Sequence, residues 1–144
     1  MTEIIFKRVH PDAAIPEYKT PGSAGFDFAL IEDVEIPPAG IARARTGLVI
    51  KTPPHHALLI FSRSSNPLKK GIDLANSVGV VDSDYAGPED EISLLLQNLT
   101  GETVQLQKGD RVAQGVFVPV TQGTFREVEE MPHENRGGLG STGR

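Results

Sequence analysis

The stretch Val78 to Gly87, VGVVDSDYAG, decides how this chain is read. Its first four residues, Val78 to Val81, form a largely β-branched run too short for a helix and suited to a pleated strand. The sequence then turns polar at Asp82, Ser83 and Asp84, passes Tyr85 and breaks at Gly87. A second apolar run follows from Ile92 to Leu96. Strand, polar turn, strand is the pattern of a hairpin whose turn is longer than the tightest type. Two carboxylates two residues apart stand at its mouth. Aspartates in such places tie up turn amides. They also suit a general base on a rigid strand end, with Tyr85 as an aromatic wall beside it. The stretch alone leaves both readings open.

Working outward, the same kind of short run recurs. Ile4 to Val9, Val34 to Ile36, Ile41 to Ile50, Ala57 to Phe61, Thr103 to Leu106 and Arg111 to Val120 are mostly β-branched or alternating. The 15 glycines and 11 prolines are spread between them rather than gathered in a linker. No long stretch keeps a helical period, and there is no internal repeat. An all-β domain of many short strands is expected.

Four further stretches carry polar groups that could serve a site. Pro21 to Phe28, PGSAGFDF, is a glycine-rich turn that delivers Asp27, either as a loop residue or as a carboxylate at a site rim. Ala57 to Phe61 runs into Ser62-Arg63-Ser64-Ser65-Asn66-Pro67. Asn66 before Pro67 reads as an N-cap and first helical residue, with Gly71 as the stop. Free amides there, with hydroxyls and Arg63, suit either a capped surface turn or an anion site. In Lys108 to Phe117, KGDRVAQGVF, Arg111 and Gln114 are unusual within an apolar strand, and an Asp110–Arg111 surface pair is the plain reading. The C-terminal RGGLGSTGR, Arg136 to Arg144, holds too much glycine to be structured alone. Its successive amides could still wrap a phosphate chain.

The composition narrows the classes. A chain of 144 residues forms one domain with a real core. With 14 basic and 19 acidic residues the net charge is −5, which argues against a nucleic-acid or membrane-surface binder but not against a small anionic ligand. There is no cysteine, hence no disulfide framework, thiolate metal site or cysteine nucleophile. His10, His55, His56 and His133 have no metal-ligand spacing, and His55-His56 reads as a solvated turn. The opening MTEIIFKRV lacks a signal-peptide pattern and no apolar run reaches membrane-spanning length, so a cytoplasmic protein is expected.

Taken in order, the five stretches resemble the five motifs of the homotrimeric dUTP pyrophosphatases, the dUTPases. They span Pro21 to Gly143, and GVVDSDYAG, KGDRVAQ and RGGLGSTG are the most specific of them. The resemblance implies a jelly-roll-like barrel, residues 1–133, followed by a mobile tail, residues 134–144, that closes over the active site. Three subunits would share three sites, each lined by motifs from different chains. The reaction would convert dUTP to dUMP and pyrophosphate with Mg2+, limiting uracil in DNA and supplying dUMP. By the same resemblance, Asp82 corresponds to the general base that activates water against the α-phosphorus. Tyr85 corresponds to the aromatic under the deoxyribose that leaves no room for a 2′-hydroxyl. Asn76, on the strand before the hairpin, matches the uracil-reading residue. Asp27 matches the carboxylate that holds a magnesium-bound water. Ser64, with Arg63 and Ser65 beside it, and Gln114 match phosphate contacts. Arg136, Leu139, Ser141 and Thr142 match the closing tail.

The chain departs from the family pattern in places. Leu139 replaces the aromatic residue that usually stacks on uracil. Ser62 stands where Pro is common, and Ser65-Asn66-Pro67 where Gly-Leu-Ala is common. Pro88-Glu89-Asp90 looks like an insertion into the hairpin. A dCTP deaminase of the same fold is the nearest competitor, but the position of its catalytic Glu aligns with Leu95, which cannot shuttle a proton. A non-enzymatic nucleotide sensor would be favoured by loss of the base or phosphate groups, and Asp82, Arg63, Ser64 and Arg136 are all present.

Overall fold

Alternating apolar residues build the barrel strand by strand. The strands are β1 (Ile5–Arg8), β2 (Phe26–Ala29), β3 (Val34–Ile36), β4 (Ile41–Arg45), β5 (Leu48–Lys51), β6 (His56–Ser62), β7 (Ile72–Leu74), β8 (Gly79–Val81), β9 (Ser93–Asn98), β10 (Val104–Leu106) and β11 (Arg111–Pro119). One helical turn of the wide π type, Asn66–Lys70, interrupts them. This computed structural model describes residues 1–143; Arg144, the last residue of the expected tail, lies outside the described residues. Among the described residues no helix is long and apolar enough to cross a membrane.

All strand pairs are antiparallel. The largest sheet runs in the order β2-β11-β6-β8, a second in the order β4-β9-β7, and β1-β5 and β10-β3 form two-stranded ribbons. In β2, Phe26 and Phe28 point inward and Asp27 outward, and in β9 Leu94, Leu96 and Asn98 point inward. The core gathers Phe28, Ile36, Leu58, Ile72, Leu96 and Val112, all essentially excluded from solvent. Phe26 lies against Phe28 at 5.1 Å and stacks on Phe117 at 5.7 Å between ring centres. Gly115 is what lets these rings close up: a Cβ there would stand 2.8 Å from Phe26 and 2.9 Å from Phe28. Buried Asn98 stitches the second sheet to its loops, donating to the carbonyls of Ile36 and Glu102 at 3.0 and 2.6 Å.

Several sequence expectations need correction. The runs Val78 to Val81 and Ile92 to Leu96 are not the two arms of a hairpin. β8 pairs with β6, Leu58 opposite Val81, whereas β9 pairs with β4 and β7. Residues 82–92 therefore carry the chain from one sheet to the other. Alternation shows that a segment is a strand but not which strand it joins. Asn76 sits in the turn between β7 and β8 rather than on a strand, where the Ser77 and Val78 amides donate to Leu74 and Asn76 carbonyls. Ser65, one residue earlier than expected, holds the N-cap position of the helical turn without a side-chain capping bond, and Gly71 ends the turn in the left-handed region at φ 65°. His56 begins β6, while His55 occupies the turn before it.

Candidate active site

The functional side chains fall into two groups on one chain. The first lies on the outward face of β2, β6 and β11. Strand alternation turns Asp27 out of the core, and the β2–β11 register places Gln114 directly opposite it. A bulge between Arg111 and Ala113 shifts that register, as bulges beside sites often do to re-aim a side chain. The Asp27 carboxylate then receives two cations, Arg63 Nε at 3.1 Å and Arg111 Nη1 at 3.2 Å. Arg63 also donates to the Arg111 carbonyl at 3.2 Å, and Gln114 Nε2 donates to the Ser62 carbonyl at 3.1 Å. Ser64 is exposed beside them and Ser65 half-buried. The sequence-predicted Asp27, Arg63, Ser64, Ser65 and Gln114 thus come together. Two guanidinium groups and two hydroxyls on a rigid sheet edge suit a polyanion.

Arg111 was missed as a site residue, although its charge within an apolar strand was the signal that could have found it. The expected Asp110–Arg111 pair does not form. Asp110 instead closes its own turn, accepting from the Gln107 amide at 2.9 Å, which leaves Arg111 free for Asp27. The helical turn is also poorer in free amides than expected. The Asn66 amide donates to the Arg63 carbonyl and Pro67 has none. Asn66 turns its side chain inward, donating to Val112 O at 2.6 Å and Ser62 Oγ at 3.0 Å.

The second group lines a cleft of about 360 Å³ that includes Asn76, Asp82 and Tyr85, together with Arg43, Glu91 and Leu95. That volume is of the size that small ligands occupy. Asp82 is exposed, and among the described residues its carboxylate accepts no hydrogen bond; its backbone carbonyl accepts from the Tyr85 amide at 3.2 Å. A carboxylate so placed is available to a water molecule. The Tyr85 hydroxyl donates to the Glu91 carbonyl at 3.1 Å. Glu91 is gripped by Arg45 through two bonds of 2.9 Å, and this pairing raises the Arg45 guanidinium above its ordinary value. Arg43, which donates to Ser93 Oγ at 3.1 Å, adds a cation to the wall that sequence reasoning did not single out.

Arg136, Leu139, Ser141 and Thr142 are exposed and line no part of this cleft. After Pro119 the described chain has no strand or helix, only turns such as Gly138 to Ser141, closed by the Ser141 amide on the Gly138 carbonyl at 2.8 Å. A smaller apolar hollow of about 120 Å³, bounded by Phe6, Tyr18, Phe26 and Phe117, offers Glu17 as its one charged side chain and no converging polar groups. Among the described residues no three His, Cys, Asp or Glu side chains cluster as a metal cage.

An all-β domain with a guanidinium-and-hydroxyl face and an aspartate-bearing cleft has the equipment of a hydrolase of phosphorylated small molecules. The dUTPase family model matches residues 11–143. A deoxyuridine 5′-triphosphate nucleotidohydrolase of Wolinella succinogenes is 44% identical over 139 residues, covering 95% of this chain and 91% of that protein. The crystal structure of dUTPase from Streptococcus mutans superposes with a TM-score of 0.76 at 37% identity, over 83% of this chain and 98% of that one. A Staphylococcus bacteriophage 80alpha dUTPase, solved with dUPNHPP, shares the fold at a TM-score of 0.88 and 22% identity, over 99% of both chains. The chain belongs to the dUTPase family.

Proposed function

We propose that this protein is a homotrimeric dUTP diphosphatase, with residues 1–133 as the barrel and 134–144 as a tail that closes on bound substrate. The observation that carries the reading is the convergence of Asn76, Asp82 and Tyr85 on one cleft. Asn76 reads the uracil edge and Tyr85 lies under the deoxyribose. Asp82 orients one water and takes its proton as the oxygen attacks the α-phosphorus. The P–O bond to the β-phosphate breaks, and pyrophosphate leaves. Arg63, Arg111, Ser64 and Gln114 hold the phosphate chain.

The trimer is supported by the separation of these groups. The cleft around Asp82 does not include Asp27, Arg63, Ser64 or Gln114, and the tail is exposed on its own chain. Neighbouring subunits bringing face, cleft and tail together would complete each site. Magnesium fits as part of the substrate. Magnesium keeps several waters and relies on substrate phosphates plus one or two carboxylates, and Asp27 is the carboxylate on the phosphate-binding face. Bound there, it would supply charge neutralisation for the phosphates. A cytoplasmic setting follows from where deoxynucleoside triphosphates are used. Deaminase chemistry is disfavoured because Leu95 lines the cleft and the nearby Glu91 is held in an ion pair.

The test is pyrophosphate release from dUTP, dCTP, dTTP and UTP, with magnesium and with chelator. Strong preference for dUTP is expected. Comparable rates on dCTP, or ammonia release from it, would defeat the proposal.

A further inference from the structure

Tyr85 is 41% exposed, so little packing fixes its ring. Its amide bonds to Asp82 and its hydroxyl to the Glu91 carbonyl, 3.2 and 3.1 Å away. The ring is therefore strung between the two ends of the segment 82–91. Ala86, Gly87 and Pro88 border a hollow with β1 and β5, but the hydrogen bonds in the middle of the segment are internal: the Gly87 amide donates to Asp90 Oδ2 at 2.7 Å and the Asp90 amide to the Gly87 carbonyl at 3.1 Å. The hydrogen bonds that tie the segment's far end to the barrel gather at Glu91 and Ile92.

Four hydrogen bonds with Arg45, Thr46 and Leu48, where β4 passes into β5, make that tie. The Ile92 amide donates to the Leu48 carbonyl at 2.8 Å, Thr46 Oγ1 donates to the Ile92 carbonyl at 2.6 Å, and Arg45 clamps the Glu91 carboxylate. Arg45 stands opposite Ser93 in the β4–β9 register, and Glu91, two residues before Ser93, lies within reach of its guanidinium. Among the described residues Arg45–Glu91 is the one ion pair that ties the segment to the barrel. An ordinary exposed pair contributes little, but a bidentate pair with one partner largely sheltered fixes geometry. The Glu91 side chain is only 15% exposed.

We propose that Arg45 and Glu91 are a positioning pair for Tyr85 and so set how strictly the site rejects a ribonucleotide. The inference rests on the placement of Tyr85 under the sugar. A 2′-hydroxyl is excluded only if the ring keeps its height and tilt, and the Glu91 carbonyl is the anchor of both. Loosening the clamp lets the ring yield. The ribonucleotide gains more from that than dUTP loses.

The experiment compares kcat/KM for dUTP and UTP in wild type, Arg45→Met, Arg45→Lys, Glu91→Gln, Tyr85→Phe and Tyr85→Ala. Arg45→Met should lower the dUTP/UTP ratio about fivefold, within the coupling range of residues in one contact network. Arg45→Lys, which keeps the charge without the fork, should recover part of it. Adding Tyr85→Phe to Arg45→Met should change the ratio no further, because both cut the same chain of contacts. Glu91→Gln gives the same direction of change should Arg45→Met not fold. An unchanged ratio in Arg45→Met and Glu91→Gln overturns the proposal, even if both substrates slow equally. The Tyr85→Ala variant separates the causes. If it leaves the ratio intact, the sugar placement of Tyr85 fails; if it collapses the ratio while the Arg45 and Glu91 variants do not, only the positioning pair fails. The chain has two tyrosines and no tryptophan. In a Tyr18→Phe background, emission anisotropy therefore reports Tyr85 alone, and it should fall in Arg45→Met.

Discussion

Asp27 Oδ1 lies 3.1 Å from Arg63 Nε, so a residue of β2 fixes the guanidinium that follows β6. The same carboxylate also holds Arg111 at 3.2 Å. Without substrate one anion therefore serves two cations, and a phosphate chain would compete with it for both.

Asp27→Asn should accordingly act in opposite directions on two readouts. In chelator, pyrophosphate should bind at least about fivefold more tightly, the effect per unit of ligand charge of one carboxylate removed at roughly 7 Å with an effective dielectric of about 50. With magnesium, dUTP turnover should fall, because on the proposed reading Asp27 is the carboxylate that serves the metal. Calorimetric titration of pyrophosphate and steady-state rates check the two arms. Weaker pyrophosphate binding in chelator would show that Asp27 orders the arginines rather than competing for them.

Asp82→Asn should leave fold and nucleotide affinity unchanged and lower kcat by about 10²–10⁴, the usual loss for a positioned base. The fold should tolerate it because the carboxylate supports no other described group. Single-turnover hydrolysis, with binding measured on a non-hydrolysable analogue, separates the steps. A rate close to wild type would reduce Asp82 to a turn residue.

The contrast between these two aspartates shows how much of the site was legible in the sequence. Asp27 sits between Phe26 and Phe28, and alternation alone turns it out of the core onto a strand face. Asp82 could be seen at a strand end, but its strand's partner could not. Pairing of β8 with β6 rather than β9 depends on packing between sheets, which no local pattern carries. Asn66 misled for a related reason. Before proline it has the signature of a cap, yet the buried Val112 carbonyl needs a donor, and satisfying it prevails over capping an exposed turn. Arg45 and Glu91 carry no local signal, since their meaning arises only where the end of β4 meets the segment leading into β9.

Asn66→Ala should cost about 1–3 kcal/mol, since it strands a buried carbonyl that its amide now satisfies. Urea unfolding midpoints measure this. The Asn66 Oδ1 atom already lacks a protein partner, so only the donor half of the side chain is at stake. A change within a few tenths of a kcal/mol, the size of an ordinary surface substitution, would mean that water replaces the amide.

The Asp12–Lys108 pair, 2.6 Å apart, joins the segment after β1 to the turn before β11. The Lys108 hydrogen bond holds the Asp12 carboxyl below its ordinary value of 3.8. A depressed carboxyl stabilises the fold above its unfolded value, and that contribution disappears as pH falls through the folded one. Asp12→Asn should therefore be less stable than wild type around neutral pH, and the gap should close as pH drops below the ordinary value. Thermal melts across an acid series test the sign. A gap that widens in acid would contradict it.

Leu139 occupies the tail position where the family pattern has an aromatic ring. It lies in a turn with Gly140, both at positive φ, 25° and 83°. A leucine there is strained, and so would be any other non-glycine residue, so exchanging it for phenylalanine leaves the backbone term nearly unchanged. On the proposed closure of the tail over the cleft, the contact with the base is what changes. Removing a base-stacking ring to alanine costs about 1–3 kcal/mol, and leucine retains part of that by covering the base with apolar surface. Closing a glycine-rich tail also costs backbone entropy, so a weak lid contact weighs more than it would on a rigid element. Leu139→Phe should therefore raise kcat/KM for dUTP about threefold to tenfold, equivalent to roughly 0.7–1.4 kcal/mol. Deleting residues 136–144 should nearly abolish turnover while leaving the proposed trimer intact, an outcome that would place the tail's action in the site. Steady-state kinetics at one magnesium concentration, with sedimentation of the deletion variant, make the comparison. An unchanged or lower kcat/KM in Leu139→Phe, alongside an inactive deletion, would mean that the tail closes in a register that turns this side chain away from the base.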